Sequence, residues 1–554
     1  MLFKKIKSKH SFYWYIFIPF LITITLFIAL SPWLAHLLAT PPGRMFTGIH
    51  WWSSDYAIYL SYVELGRRGE IGARLLLTTM PQSPVFTQLV YTLSGYLFGK
   101  ILQFNSVFSY HISRILYGFF FLFSTIFLFY RLSKSKLVTL FAFLFSFYIT
   151  GFVRVKQIFP LKISRYLAFI SGSDIISRAV GPPHYLVGYI IFIATFCWFF
   201  CTKHSLFLKT IVFGILLNLI LLANPFTYII MAFSFLNYIV IRLLFSKDKR
   251  AFITGELISI IAGFAIALPL LSYYKHFLSR EPWGLIASAP QFYQIFHPPI
   301  YAKDVLMAFI PLILCGLSGI FGVITKKIKT FLTVSQTAFL LSWILSHVFL
   351  LAFGDQIRID PLRSNQGLYY IPLSLFSAYF ILALSKRLQI FGLANYKIKG
   401  LAIIILLFVL TLPDYLLSYR NNLFNFTDYK NFTRLVYPTK KSIEAFRWLE
   451  ANTPVASGVM SMYEASELMQ GFSGNSTNAK ITEMTRIRFF SNSMLEDEAY
   501  KFLKDNNFRY VYFGYQEKYY GGEVVKLPFL RKVFENEEVI IYLINNQFKT
   551  SSKI

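Results

Sequence analysis

The chain has 554 residues, 56% of them hydrophobic and only 14% charged, with a mean hydropathy of +0.53; ordinary soluble domains carry roughly 25% charged residues. Several apolar runs exceed the 18 or so residues that cross a bilayer, which excludes a soluble globular protein and predicts a polytopic membrane protein. The net charge of +28 is uneven: residues 1–417 hold 36 basic and 11 acidic side chains, while 418–554 hold 18 and 15. A basic excess inside a membrane part is topogenic and lipid-facing, and without a recognition motif it does not indicate nucleic acid.

Taken in order, the basic Lys4-Lys5-Ile6-Lys7-Ser8-Lys9 leads into a first crossing at 12–38. That run is too long for a signal-peptide core and no small-residue cleavage site follows, so it reads as an uncleaved helix with its N-terminus inside. An outer loop follows at 39–83. It opens with Gly48-Ile49-His50-Trp51-Trp52-Ser53-Ser54-Asp55-Tyr56, in which Asp55 is the first acid of the chain. If the next residues are helical, Tyr59 and Tyr62 share Asp55's face and Glu64 points the opposite way. A carboxylate there can take a proton from an acceptor hydroxyl or orient a metal, with His50 beside it as a candidate substrate contact. The plainer reading is a helix N-cap, for which Ser53, Ser54 and Asp55 are all suited.

Basic connectors at 131–136, 203–209, 247–250, 326–329 and 386–399 mark the inner face. Between them lie apolar spans near 137–152, 184–202, 210–223, 225–245, 252–273, 303–325, 331–353, 367–385 and 399–417. Both 84–102 and 108–130 look able to cross, but only an odd number of crossings joins the outer loop to Arg131. This predicts about 11 spans, or 13, with the C-terminal part outside. Eight of the 11 acids in residues 1–417 then fall in outer loops or their rims. Cys197, Cys201 and Cys315 sit in apolar spans and indicate neither disulfides nor zinc.

The second outer loop, 153–183, carries Lys162, Arg165, Asp174 and Arg178, then Gly181-Pro182-Pro183-His184 opens a helix. A helix starting on a proline pair offers free N–H groups and a positive dipole end to an anion, and arginine binds phosphate bidentately. The alternative is headgroup contact at the membrane rim. Asn224-Pro225 reads as a turn between two spans. Gly354–Ser364 places Asp355, Arg358, Asp360 and Arg363 at the mouth of two helices. Arg363 is the first choice for a phosphate ligand there and Arg358 the second. Ionisable groups are nearly absent from the middles of the spans, which argues against a transporter and for chemistry at the outer interface.

Residues 418–554 have ordinary charge density and no spanning run. Helices are expected at Lys440–Ala451 and Leu495–Asp505, and strands at Gly458–Met462, Arg509–Phe513 and Glu538–Leu543, giving a small extracytoplasmic α/β domain. The domain boundary is thus expected at 417/418. Gly471-Phe472-Ser473-Gly474 lacks the spacing of a nucleotide loop.

This layout resembles the class C glycosyltransferase superfold, in particular the bacterial group of protein O-mannosyltransferases and enzymes that move sugars onto lipid A. The resemblance is carried by the early acid in Trp51-Trp52-Ser53-Ser54-Asp55-Tyr56, the region Tyr110–Arg131 with Arg114, and the outer basic residues. In the tail, Ala445-Phe446-Arg447-Trp448-Leu449-Glu450 and Arg509-Tyr510-Val511-Tyr512-Phe513-Gly514 add to it. It implies a plasma-membrane enzyme that passes a sugar from a polyprenyl-phosphate donor to an extracytoplasmic hydroxyl on a glycan, lipid or protein. Asp55 would be the base, and Arg363, Arg358, Arg178 and Lys162 would hold the donor phosphate. Asp174, His184 and His50 complete the expected substrate contacts, and a divalent metal ion is left open as cofactor. The chain departs from the group in having Ser-Asp-Tyr where several members have an acid pair, and Gln82-Ser83-Pro84 where they have Lys-Pro-Pro or His-Pro-Pro. The rival readings are a non-enzymatic assembly or export component and a lipid-linked glycan flippase.

Overall fold

The computed structural model describes residues 9–49, 53–149, 178–245, 249–284, 309–357, 359, 367–388, 395–424, 433–522 and 527–545. In chain order the helices are α1 (Lys9–Leu38), α2 (Ser53–Arg67), α3 (Leu89–Ser94, continued by a π-helical stretch Gly95–Ile101), α4 (Ser106–Ser133) and α5 (Lys136–Phe147). Next come α6 (Pro183–Cys201), α7 (Leu206–Ala223), α8 (Pro225–Phe245), α9 (Lys249–Leu278), α10 (Ile310–Ile324), α11 (Val334–Phe353), α12 (Tyr370–Arg387) and α13 (Tyr396–Phe424). The C-terminal residues add α14 (Thr433–Val436), α15 (Lys440–Asn452), α16 (Tyr463–Ser473), α17 (Glu483–Phe490), α18 (Glu496–Asp505) and α19 (Tyr515–Gly521). Four strands complete the order: β1 (Gly458–Met460), β2 (Phe508–Phe513), β3 (Leu530–Glu535) and β4 (Ile540–Ile544).

Among the described residues eight helices are long and apolar enough to cross a membrane: α1, α4, α6, α7, α8, α9, α11 and α13. The helices α5 and α10 are apolar but shorter. Of the two segments that competed for one crossing, Ser106–Ser133 has 28 residues and qualifies. Leu89–Ile101 has two pieces of 6 and 7 residues, and at roughly 1.5 Å per residue it falls short of a 30 Å hydrocarbon core. The break before it is Gln88, whose φ of 55° is left-handed.

The chain forms two compact units. The first comprises 1–31, 114–276 and 287–421, and the second 32–113, 277–286 and 422–554. In the first, α10 packs on α12 through glycines. A Cβ on Gly319 would lie 2.1 Å from the Phe376 carbonyl oxygen, so only glycine permits this spacing. Around Phe339, the rings of Phe200 and Phe235 sit 4.8 Å away and join α6, α8 and α11.

The second unit combines the loop after α1 with the C-terminal residues. Met45 N–H donates to the Pro438 carbonyl and Thr47 N–H to that of Val436, both at 3.0 Å. The sheet order is β1-β2-β4-β3, with β1 parallel to β2 and both other pairs antiparallel. A parallel pair requires a long crossover, which α16, α17 and α18 supply. Met460, Phe490, Val511, Phe513 and Phe529 form its core, each fully buried.

Candidate active site

Helix α2 organises the second unit. Every residue from Leu60 to Gly66 is buried, as expected for a helix enclosed on all sides. Three glycines bring a neighbouring helix onto it. A Cβ on Gly66 would lie 1.9 Å from the Thr92 oxygen, and one on Gly95 would lie 1.9 Å from the Val63 oxygen. A Cβ on Gly99 would stand 2.5 Å from Arg67 Cγ. On another side Gly471 of α16 packs against Leu60, and the αL glycine Gly474 closes α16. That explains the glycine pair which lacks a nucleotide-loop spacing.

At the open end of this fixed helix Asp55 is exposed. It is the third residue of α2 and lies inside the first turn, so it does not cap the helix from outside. Nearby side chains are locked by rings. Tyr56 Oη donates to the Thr47 carbonyl at 2.7 Å, and its ring meets Tyr110 edge-on at 5.1 Å. Tyr59 stacks on Tyr91 at 4.8 Å. His111, fully buried, lies 4.5 Å from the Trp33 ring. Gly48, with φ +81°, has no room for a Cβ between His111 Nε2 and Tyr56 Oη. His111 escapes a reading of the sequence because a single histidine within an apolar helix carries no pattern.

Nine residues on, Glu64 faces the other way and is 1% exposed. Arg67 donates to both its oxygens at 2.8 Å and also pairs with Glu450. Burial pushes the Glu64 carboxyl up to about 7, although the Arg67 guanidinium pulls the other way. Arg68 donates to the carbonyls of Ser473 at 2.7 Å and Thr453 at 2.6 Å, which ties the far end of α2 to α16 and its surroundings.

In the first unit Arg178 is 2% exposed. Its Nη1 donates to the carbonyls of Ser146 at 2.7 Å and Ile149 at 3.3 Å. Its guanidinium lies 4.8 Å from the Tyr370 ring centre and 5.1 Å from that of Phe309. Helix α6 begins on Pro183, after the N-cap Pro182, and His184 is buried against Tyr185 at 4.1 Å. Gly367, the first described residue after Arg363, is anchored by two side chains of α11. Trp343 Nε1 donates to the Gly367 carbonyl at 2.8 Å, and His347 Nε2 lies 2.8 Å from the same oxygen. The Asn224 side chain accepts the Phe226 N–H at 3.1 Å, so Asn224-Pro225 is the turn its residues suggest.

Asp55 belongs to the second unit, and Arg178 and His184 to the first. His50, Lys162, Asp174, Arg358 and Arg363 lie outside the described residues. Among the described residues no three His, Cys, Asp or Glu side chains come together as a metal site.

No protein-family model and no curated protein sequence matches the chain. Solved structures do. The AglB oligosaccharyltransferase of Archaeoglobus fulgidus, solved with an inhibitory peptide and a dolichol-phosphate, matches with a TM-score of 0.50 at 14% identity. The match covers 93% of this chain and 71% of that one. ArnT from Cupriavidus metallidurans matches at 0.45 and 10% identity over 94% of this chain and 97% of that one. The arabinofuranosyltransferase AftD from Mycobacteria matches at 0.47 and 10% identity over 95% and 41%. Identity this low speaks to fold. The chain has the class C glycosyltransferase fold that it shares with the A. fulgidus oligosaccharyltransferase.

Proposed function

We propose that this protein is an inverting membrane glycosyltransferase that takes a sugar from a polyprenyl-phosphate donor. It passes the sugar to a hydroxyl of an extracytoplasmic glycan, lipid or protein. The observation that carries the reading is Asp55, an exposed carboxylate on the first turn of a helix that is buried from Leu60 to Gly66 and held by close glycine contacts. Catalysis needs a base held on a rigid element yet open to its substrate. The related fold of an oligosaccharyltransferase solved with dolichol-phosphate supports a lipid-phosphate donor.

In this mechanism Asp55 takes the proton of the acceptor hydroxyl, and the acceptor oxygen forms a bond to the anomeric carbon from the face opposite the phosphate. The bond from that carbon to the phosphate oxygen breaks, and the electron pair leaves with the polyprenyl phosphate. Arg363, Arg358 and Lys162 are the cations assigned to that developing charge, which arginine matches bidentately. The contact expected from Arg178 is not retained, because its guanidinium is buried on the Ser146 and Ile149 carbonyls. Asp174, His184 and His50 are assigned to the sugar. The protein then resides in the plasma membrane, with its N-terminus cytoplasmic and its C-terminal residues outside.

The test is transfer by the purified protein from a panel of radiolabelled polyprenyl-phosphate sugars, beside Asp55→Asn. Loss of a positioned base costs on the order of 10²–10⁴-fold, so the variant should keep its melting temperature and lose transfer to that extent. Full transfer by the variant would remove Asp55 from the mechanism.

A further inference from the structure

The first unit holds a cavity of about 880 Å³ with no part in the chemistry proposed above. It lies between the start of α5, the turn after α10, the end of α12 and the first residues of α13. Six cationic side chains from these four segments line it: Lys136, Lys327, Lys329, Lys386, Arg387 and Lys397. All six are exposed, and no carboxylate is among the lining residues. Val138, Leu140, Phe331 and Leu382 add apolar surface to the same lining. Rings support two of the ammonium groups: Lys136 lies 5.7 Å from the Trp14 centroid and Lys386 5.2 Å from that of Tyr396.

Six like charges around one cavity repel one another within a screening length of about 8 Å. An anion relieves that repulsion. The volume falls in the roughly 300–1,000 Å³ range of sites that enclose an organic ligand and far exceeds what a lone phosphate needs. A lining that combines exposed cations with apolar side chains matches an amphiphile, and basic pockets between membrane helices take phospholipid headgroups. We propose that this cavity binds an anionic membrane phospholipid, its phosphate held by Lys329, Lys386 and Arg387 and its acyl chains laid along α5 and α12.

The experiment uses the full chain in neutral detergent and reads melting temperature and retained lipid by native mass spectrometry. Phosphatidylglycerol should raise the melting temperature of the wild type, and the rise should shrink as salt increases. The triple variant Lys329→Gln/Lys386→Gln/Arg387→Gln should lose the rise, and Lys329→Arg/Lys386→Arg should keep it. Lys249→Gln/Arg250→Gln, an exposed basic pair elsewhere on the unit, should behave as wild type. An equal rise with phosphatidylcholine would overturn the proposal, since it would mark general lipid solvation. So would an equal rise with inorganic phosphate alone, or an equal loss in the Lys249/Arg250 variant. Should the triple variant not fold, the wild type still decides the matter: one retained phosphatidylglycerol per chain supports the site, and none overturns it.

Discussion

Asp55 and Glu64 stand on one helix and live in opposite media, one exposed and the other 1% exposed. Glu517, at the third position of α19, is as deeply buried as Glu64 and accepts the N–H groups of Met462 at 2.6 Å and Gly514 at 3.0 Å. Burial pushes it, too, up to about 7 from an ordinary 4.5. A folded-state value above the unfolded one means that the folded chain holds its proton more tightly. The resulting stability is fully present below about pH 4.5 and is lost as pH rises through 7. For Glu517 this amounts to about 3 kcal/mol at most. The wild type should therefore melt at a lower temperature at pH 8 than at pH 5. Glu517→Gln, which cannot ionise, should show a smaller drop across the same interval. The difference between the two slopes is the readout, because every other ionisable group is common to both proteins; equal slopes would show that Glu517 does not ionise in this range.

At the scale of elements, the crossing of α2 and α3 is where sequence becomes position. A Cβ on Gly95 would meet a backbone oxygen of α2 at 1.9 Å, and neither backbone can yield without shifting the helix that carries Asp55. Overpacking of this kind costs about 1–3 kcal/mol. Gly95→Ala should lower the melting temperature and reduce sugar transfer together. Gly255→Ala, where nothing lies within 4 Å of the new methyl, should do neither. A Gly95→Ala protein with wild-type transfer would show that α2 tolerates displacement.

Much of this layer is legible in the sequence, and the exceptions have causes. The helix expected at Lys440–Ala451 is observed at Lys440–Asn452, because Thr439 caps it and its apolar residues keep a helical period. Strands β1, β2 and β4 are apolar runs and stand near their expected places. β3 goes unforeseen because it has half-exposed Leu530, Val533 and Phe534 among charged residues and lies at the sheet edge. Helix α16 goes unforeseen although Ala465, Leu468, Met469 and Phe472 keep a helical period, because it is short and its polar Ser466, Glu467 and Gln470 are buried with them, beside a glycine pair that suggests a loop. The candidate site divides the same way. Asp55 announces itself as the first acid in an apolar chain, whereas His111 and Gly48 acquire meaning only through the packing around Tyr56.

For the whole molecule the governing quantity is the asymmetry of charge. The basic connectors of residues 1–417 alternate with acid-bearing loops, and on the proposed topology the orientation rule for lysine and arginine would put the connectors in the cytoplasm. A path from an inner N-terminus to an outer C-terminal domain needs an odd number of crossings. Eight described helices qualify by length and composition, and the eleven-span path requires α5, α10 and α12 to cross as well. α5 has 12 described residues, about 18 Å of helix, so it would need help from the residues that follow it. Labelling decides this without reference to any activity. In a background with Cys197, Cys201 and Cys315 replaced by serine, single cysteines go at the exposed positions Lys203, Lys249, Lys326 and Lys501. A membrane-impermeant maleimide on intact cells should modify only the Lys501→Cys protein, and all four should react once the membrane is opened. Protection of Lys501→Cys would put the C-terminal residues inside and require an even count of crossings. Reaction at Lys326→Cys but not at Lys249→Cys would mean that α9 and the segment ending in α10 do not both cross, placing the error between those two connectors.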